Sequence, residues 1–515
     1  MMKKSISHLR HFIPIIVLLS FGCSENSANK RQDSSEFTAI EHAILSDKEN
    51  FYFIDTEAYQ INEDLPIGFF DSGTGGLTIL NSVMESDKFD NQSHELSADG
   101  ILDFASEKFI YLADQANMPY GNYYAANNSE LLIEHIIKDA QFLLSKKFYI
   151  DQKTQKVEHS KEPVKAMVIA CNTATAYGKE SLEDFMKKAN IPLKVIGVID
   201  AGAKGALEKF EKREDGSIAV FATVGTIASK GYENTINKYK AELGFQGDIQ
   251  IFNQGGHGLA EAVDQEADYI SSKSQNPRHN YRGPSLDHPD FPIHKTLLDV
   301  YNFDFDHGKM LCNNSNLDDC DIMQINSTEN YVRYHLVSMM EKIRSSQNPQ
   351  PLKVILLGCT HYPYLKSEMR KVIAELYDFK DAKGYRYRDL MNEDIQIVDP
   401  ADNVAIELYQ FLAENDLLSE KGDFSKSEYY ISVPNLSNSN VEVENNLNFT
   451  YEYKYGRTPS DIQEYVKVVP FSKQNIAEDT YHRLEASVPT VFQSIRSFHQ
   501  KNEKLKGISP SSLLP

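Results

Sequence analysis

The sequence predicts an α/β fold with parallel sheets, and three observations carry that prediction. Short apolar runs are each followed by a turn of small or hydroxyl residues and then by helical spacing, a rhythm repeated about eight times. The runs are apolar on both faces, as strands covered by helices on either side must be. Two of the runs look like versions of one idea: AMVIACNTATAYG at 166–178 and KVILLGCTHYPYL at 353–365. Each goes from strand to Cys to small polar residues to helix. The residue just past a strand tip is where such sheets place their ligands. Cys171 and Cys359 therefore arrive at equivalent spots, near helix N-termini whose dipole and unpaired N–H groups favour a thiolate. A single cysteine there is ordinarily just a small hydrophobe. Two with matched surroundings ask for more.

The totals bound the answer. A chain of 515 residues exceeds one ordinary core, so two or more domains are expected. A formal charge of −21 argues against a nucleic-acid partner and does nothing to attract an anion, so any anion site must be made locally. The hydrophobic share is ordinary for a soluble globular protein, and no internal run is long enough to span a bilayer. The five cysteines include no CxxC pair, so a structural zinc site of usual spacing is not expected. Cys312 and Cys320 lie in a polar segment and can pair if the compartment is oxidising.

In chain order, Lys3, Lys4 and Arg10 precede the apolar run FIPIIVLLSFG, which ends at Cys23. A charged start and a short apolar run are the parts of a secretory signal. With the cysteine and the polar tether after it, the segment resembles a bacterial lipoprotein signal. Phe21 departs from the small residue usual there, and an uncleaved N-terminal anchor is the alternative. Residues 1–35 are set aside as signal, anchor and linker. Residues 36–65 are expected to hold a short helix and a strand. In LPIGFFDSGTGGLTIL, 67–70 read as a strand, Asp71 and Ser72 begin its turn, and the glycines let backbone approach a ligand. The Lys-Ser/Thr ending of a phosphate loop is missing.

A polar inserted loop follows at 86–106, then a strand at 108–114 that starts the YLADQANMPYG segment, with its Tyr120-Gly121 turn. A helix is expected over 129–147. After Cys171 and a helix to about 189, 193–200 reads as a strand that turns into a helix at Gly202. Thr223, Thr226, Ser229 and Tyr232 recur every three residues along one helical start, either as capping hydroxyls or as ligand contacts. DIQIFNQ is a strand, and LAEAVDQEA carries Asp264 on a helical segment. Residues 271–330 break the rhythm. Their scattered histidines fit no common metal spacing, and a surface insertion is the expectation. A helix at 331–346, the second cysteine strand, a helix at 362–377, and a strand and helix in IQIVDPADNVAIELYQFLAEN follow. Strands near 427–433 and 465–471 and a final helix over 474–500 close the chain.

Two thiols suit one reaction class. Inverting a carbon next to a carboxylate needs a base on one face and an acid on the other. A thiol with an ordinary pKa of about 8.5 is within reach of either role. Asp71 and His361, which stands two residues after Cys359, are the charged neighbours placed to adjust them. The intermediate carbanion needs N–H and hydroxyl donors.

DSGTGGLTIL, YLADQANMPYG, VIACNTATA, TVGTIASKGY, LLGCTHYPYL and DPADNVA occur in the order found in glutamate racemases of the aspartate/glutamate racemase superfamily, which the chain resembles over about 66–500. The resemblance implies two doubly wound parallel-sheet subdomains related by a pseudo-twofold axis, with the active site between them. Subdomain A would take 66–200 and 400–500, and subdomain B 201–399 with the 271–330 insertion. It implies cofactor-independent interconversion of L- and D-glutamate, supplying D-glutamate for peptidoglycan, with Cys171 and Cys359 as the acid/base pair and no metal. Asp71 and His361 would assist. Ser72, Tyr120, Gly121, Asn172, Thr173, Thr223, Thr226 and Thr360 would hold the substrate through side chains and backbone N–H groups. The family has Glu where this chain has Asp264, a shorter assisting acid. Family members are often dimers. An aspartate or other amino-acid racemase, or a non-catalytic amino-acid-binding lipoprotein, are the alternatives. The leader implies an exported protein held to a membrane by lipid, periplasmic or at the cell surface, rather than a cytoplasmic one.

Overall fold

The structure is a computed structural model that describes residues 37–514 apart from 272, 315–318, 445–447 and 507. The expected signal and Cys23 lie outside the described residues. Ten strands form two main sheets: β1 (Ile67–Asp71), β2 (Phe109–Ala113), β3 (Ala166–Ile169), β4 (Lys194–Gly197), β5 (Gly216–Ala222), β6 (Ile249–Gly255), β7 (Leu352–Gly358), β8 (Met391–Val398), β9 (Glu428–Pro434) and β10 (Val466–Pro470). The larger sheet has the order β10-β9-β2-β1-β3-β4, and the smaller β8-β7-β5-β6. All neighbours pair in parallel except β9 with β10, which is antiparallel. The all-parallel expectation fails at that edge alone. There Val466–Pro470 returns alongside Glu428–Pro434 after a connection that carries the short helix Tyr451–Gly456.

In each sheet the strand order reverses beside its first strand. β1 leads outward to β2, and the chain then comes back to place β3 on the other side of β1. β5 leads to β6, and β7 falls on the other side of β5. Loops at such a reversal diverge and leave a crevice beyond the carboxyl ends of the strands. Asp71 and Cys171 stand at the first crevice, Thr223 and Cys359 at the second. The two cysteine strands thus occupy the same place in two separately wound sheets.

Strands β1, β2 and β5 are buried along their whole length, as strands covered by helices on both faces are. Along β5 and β7 alternate residues divide between two cores. Ile218, Val220, Val354 and Leu356 face a core shared with the larger half. Ala219, Phe221, Ile355 and Leu357 face a second core of the smaller half.

The element expectations hold with exceptions. The helix Ala39–Leu45 is present, and 37–65 contain no described strand. The helix after β4 begins at Val198 rather than Gly202, so Ile199 and Asp200 are helical and not strand. The threonine-bearing turn makes two helices, α1 (Val224–Ala228) and α2 (Gly231–Glu242), broken by Lys230 at φ 55°. The terminal helix is also two, α3 (Glu478–Ser487) and α4 (Pro489–Lys501), separated at Pro489, which cannot continue a hydrogen-bonded turn.

The segment 271–330 is more than a surface insertion. Tyr301, Met310, Met323 and Ile325 enter the second core beside Tyr331 and Tyr334 of helix Thr328–Ser345. Its hairpin, Met310–Cys312 with Met323–Ile325, is closed by a Cys312–Cys320 disulfide.

Candidate active site

The turn after β1 is held by Asp71. Its carboxylate accepts the Gly76 N–H at 2.8 Å. A Cβ at Gly76 would stand 2.7 Å from the Asp71 Cβ and 2.8 Å from that of Ala170, so only glycine closes this turn against both strand tips. Cys171 caps the helix Asn172–Lys188: the Ala174 N–H donates to its sulfur at 3.4 Å, and its thiol reaches Ser72 Oγ at 3.7 Å. Burial pushes the Cys171 thiol up to about 12, helped by the nearby Asp71 charge and opposed by the Ala174 and Ser72 hydrogen bonds. Burial likewise raises the Asp71 carboxyl.

The second thiol has different company. Cys359 Sγ lies 3.7 Å from His361 Nδ1. His361 Nε2 lies 3.3 Å from Asp264 Oδ2. Burial works against the imidazolium, but the Asp264 hydrogen bond and Cys359 push His361 up to about 10. Asp264 is held below the usual carboxylate range: burial would raise it, and His361 and Arg483 outweigh that.

The halves meet at these turns. Asn172 Nδ2 donates to the Gly358 carbonyl at 3.4 Å, and the Tyr232 hydroxyl donates to Asn172 Oδ1 at 3.0 Å. The residue after one cysteine thus touches the residue before the other. A Cβ at Gly75 would lie 3.9 Å from Thr360 Oγ1, so the glycine turn also faces the second cysteine turn. Two cavities flank the junction. One of about 330 Å³ is lined by Asn172, Tyr232, Cys359 and Thr360. A cleft of about 1380 Å³ is lined by Gly75, Asp264, His361 and Arg483. None of the described residues of 271–330 lines either; residues of the C-terminal 472–512 line the cleft instead.

Other expected residues fall as follows. Thr360 Oγ1 is 3.5 Å from His361 Nδ1. Thr173 is half-buried on the first turn of the helix that Cys171 caps. Thr223 caps α1, accepting the Thr226 N–H at 3.3 Å, with its Oγ1 3.0 Å from that of Thr226, and neither threonine lines the two cavities. Gly121 is exposed at the start of a short helix. Tyr120 corrects an expectation. Its hydroxyl is buried between Asp114 at 2.6 Å and Asp139 at 2.7 Å, so its side chain is a structural group and only its backbone is left for a ligand. Burial, then the Asp114 charge, drives the Asp139 carboxyl well above the usual carboxylate range. Among the described residues no cluster of three or more His, Cys, Asp or Glu side chains is gathered for a metal. Sequence reasoning did not find Arg483. It lies 219 positions from its partner, and nothing in its local pattern marks it.

An α/β protein with one buried free thiol at each of two sheet crevices belongs to a narrow class. No family model matches the chain. It is 31% identical over 312 residues to a glutamate racemase of Oceanobacillus iheyensis, covering 61% of this chain and 73% of that one. It is 26% identical over 368 residues to one from Lactobacillus johnsonii, covering 72% and 88%. Among solved structures, a glutamate racemase of Bacillus anthracis matches with a TM-score of 0.39 and 20% identity over 72% of this chain and 88% of that one. The chain belongs to the glutamate racemase family.

Proposed function

We propose that the protein interconverts L- and D-glutamate with no cofactor, using Cys171 and Cys359 as the two proton carriers. One sulfur, as thiolate, takes the α-proton. The C–H electron pair passes into the α-carbon and its carboxylate, and the opposite thiol returns a proton to the other face. Each turnover exchanges the protonation states of the two sulfurs, which must be reset before the next. The carbanion draws on nearby donors, and the Ser72, Asn172 and Thr360 side chains and the turn N–H groups are the candidates for that part. D-glutamate so made is a peptidoglycan precursor.

The observation that supports this reading most is the Asn172–Gly358 contact, which joins the cysteine-bearing tips of the two sheets. The direct test is α-hydrogen exchange of glutamate in heavy water together with loss of optical rotation. Binding without exchange would leave a non-catalytic amino-acid-binding protein. Faster exchange of aspartate than of glutamate would change the substrate.

The same proposal places the protein outside the cytoplasm, held to a membrane by a lipid on Cys23. The charged and apolar leader supports it, and so does the Cys312–Cys320 disulfide, a bond that persists in oxidising compartments. Cys23→Ala should abolish incorporation of labelled fatty acid and release the protein from membranes; unchanged labelling would refute the anchor.

A further inference from the structure

The cysteine pair does not account for Arg483. We infer that Arg483 is a positioning residue for the Cys359 side, holding Asp264, which in turn holds His361 against the sulfur. This rests on Cys359 being a proton carrier. One carboxylate oxygen, Asp264 Oδ2, lies 3.3 Å from Arg483 Nη1 and 3.3 Å from His361 Nε2. The other imidazole nitrogen stands 3.7 Å from Cys359 Sγ. Four groups thus run in one line from α3 to the thiol.

The line crosses between the halves. α3 leads into α4, which packs on the helix Leu77–Met84 and on β9 of the larger half. Asp264 and His361 belong to the smaller half. A second tether runs beside the first: the Tyr364 hydroxyl donates to the Ser487 carbonyl at the last turn of α3, at 2.7 Å. Helix α3 is therefore fastened on both sides of His361, through the residue's carboxylate partner and through a tyrosine three positions on.

Asp264 needs the help. It caps a helix of only five residues, Leu259–Val263, and Gln265 after it turns to φ 58°. So short a helix is a weak platform for an orienting carboxylate. The neighbourhood is acidic as well: Glu261, Asp264 and Asp268 all bear on Glu266 in the same segment, and Glu85, Asp399 and Asp264 bear on Tyr364. Arg483 brings a positive charge to this strip and fixes the carboxylate rotamer that serves the imidazole. An ion pair this exposed adds little to stability, so its effect is read in kinetics.

The test uses the full chain and compares the unaltered protein with Arg483→Ala, Arg483→Lys, Asp264→Asn and the double variant. Arg483→Ala should lower kcat about tenfold with KM within about twofold, and Arg483→Lys should recover most of it. Removing Arg483 from Asp264→Asn should change kcat by less than about twofold, because the two act through one oxygen. Primary deuterium effects measured from L- and from D-glutamate should diverge in Arg483→Ala, since only one of two thiols is disturbed. Unchanged kcat in Arg483→Ala, or losses that simply multiply in the double variant, overturns the inference alone. No α-hydrogen exchange by the unaltered protein overturns both this and the proposed reaction.

Discussion

Cys171 and Cys359 share a place in the fold and differ in electrostatics. Each ends a central parallel strand at a reversal of strand order, and each is buried. Cys171 faces a carboxyl group, Asp71, and is pushed up to about 12. Cys359 faces an imidazole itself raised to about 10 by a carboxylate behind it. Winding a sheet fixes where a thiol goes; the next side chain decides what charge surrounds it. In the proposed reaction the two sulfurs play opposite parts at any moment, one carrying a proton and the other bare.

The comparison breaks most completely if one sulfur proves dispensable. Cys171→Ala and Cys359→Ala should each cut racemisation by roughly a thousandfold or more, within the range assigned to a lost acid or base. Circular dichroism of glutamate over hours measures it. Near-normal turnover in either variant would reduce the pair to a single functional thiol.

Next in size is the imidazole side. His361→Asn and Asp264→Asn should lower kcat by about ten- to a hundredfold. The sign of the pH effect follows from the raised value. The folded His361 stays protonated up to about 10, so what its ion pair contributes is complete below its ordinary range near 6.5 and is lost as pH rises through 10. Asp264→Asn removes the anion and should bring the alkaline limb of the rate profile to lower pH. A limb that does not move would mean that another group titrates there.

A smaller effect tests the Cys171 side. Asp71→Asn removes the second-largest cause of the raised thiol while leaving burial, the largest, in place. Alkylation of Cys171 by iodoacetamide should therefore set in at lower pH than in the unaltered protein, yet still above the ordinary thiol range of about 8.5. An unchanged onset would assign the whole shift to burial.

The fold was legible because its signals are local. Apolar runs such as 166–170 and 354–358 read as strands covered on both faces, and the cysteines at their ends stand out against small polar neighbours. The two helix breaks were hidden for local reasons as well. Lys230 adopts a left-handed backbone without glycine, and Pro489 sits where proline suits the first turn of a new helix as well as a loop. Long-range pairing was not legible. The reach of Asp264 to His361 was open from sequence, since a shorter acid stands where the family has glutamate, and only the placement of its helix brings it to 3.3 Å. The insertion's contribution to a core was masked by its polar average, because Tyr301, Met310 and Met323 are spread among Asn and Asp. Tyr120 misled because its motif, not its environment, was visible.

That residue supplies the smallest prediction. If the Tyr120 phenol served the substrate, Tyr120→Phe would raise KM. Its oxygen instead joins two buried carboxyl groups at 2.6 and 2.7 Å. Taking it away leaves Asp114 and Asp139 short of a partner, which costs about 1–3 kcal/mol for a buried polar group. The expected outcome is a lower unfolding midpoint in urea with KM and kcat close to those of the unaltered protein. Lost activity at full stability would return the hydroxyl to the substrate site. It would also mean that the Asp114–Tyr120–Asp139 chain opens during turnover, tying the first thiol's half of the molecule to the reaction through more than Cys171.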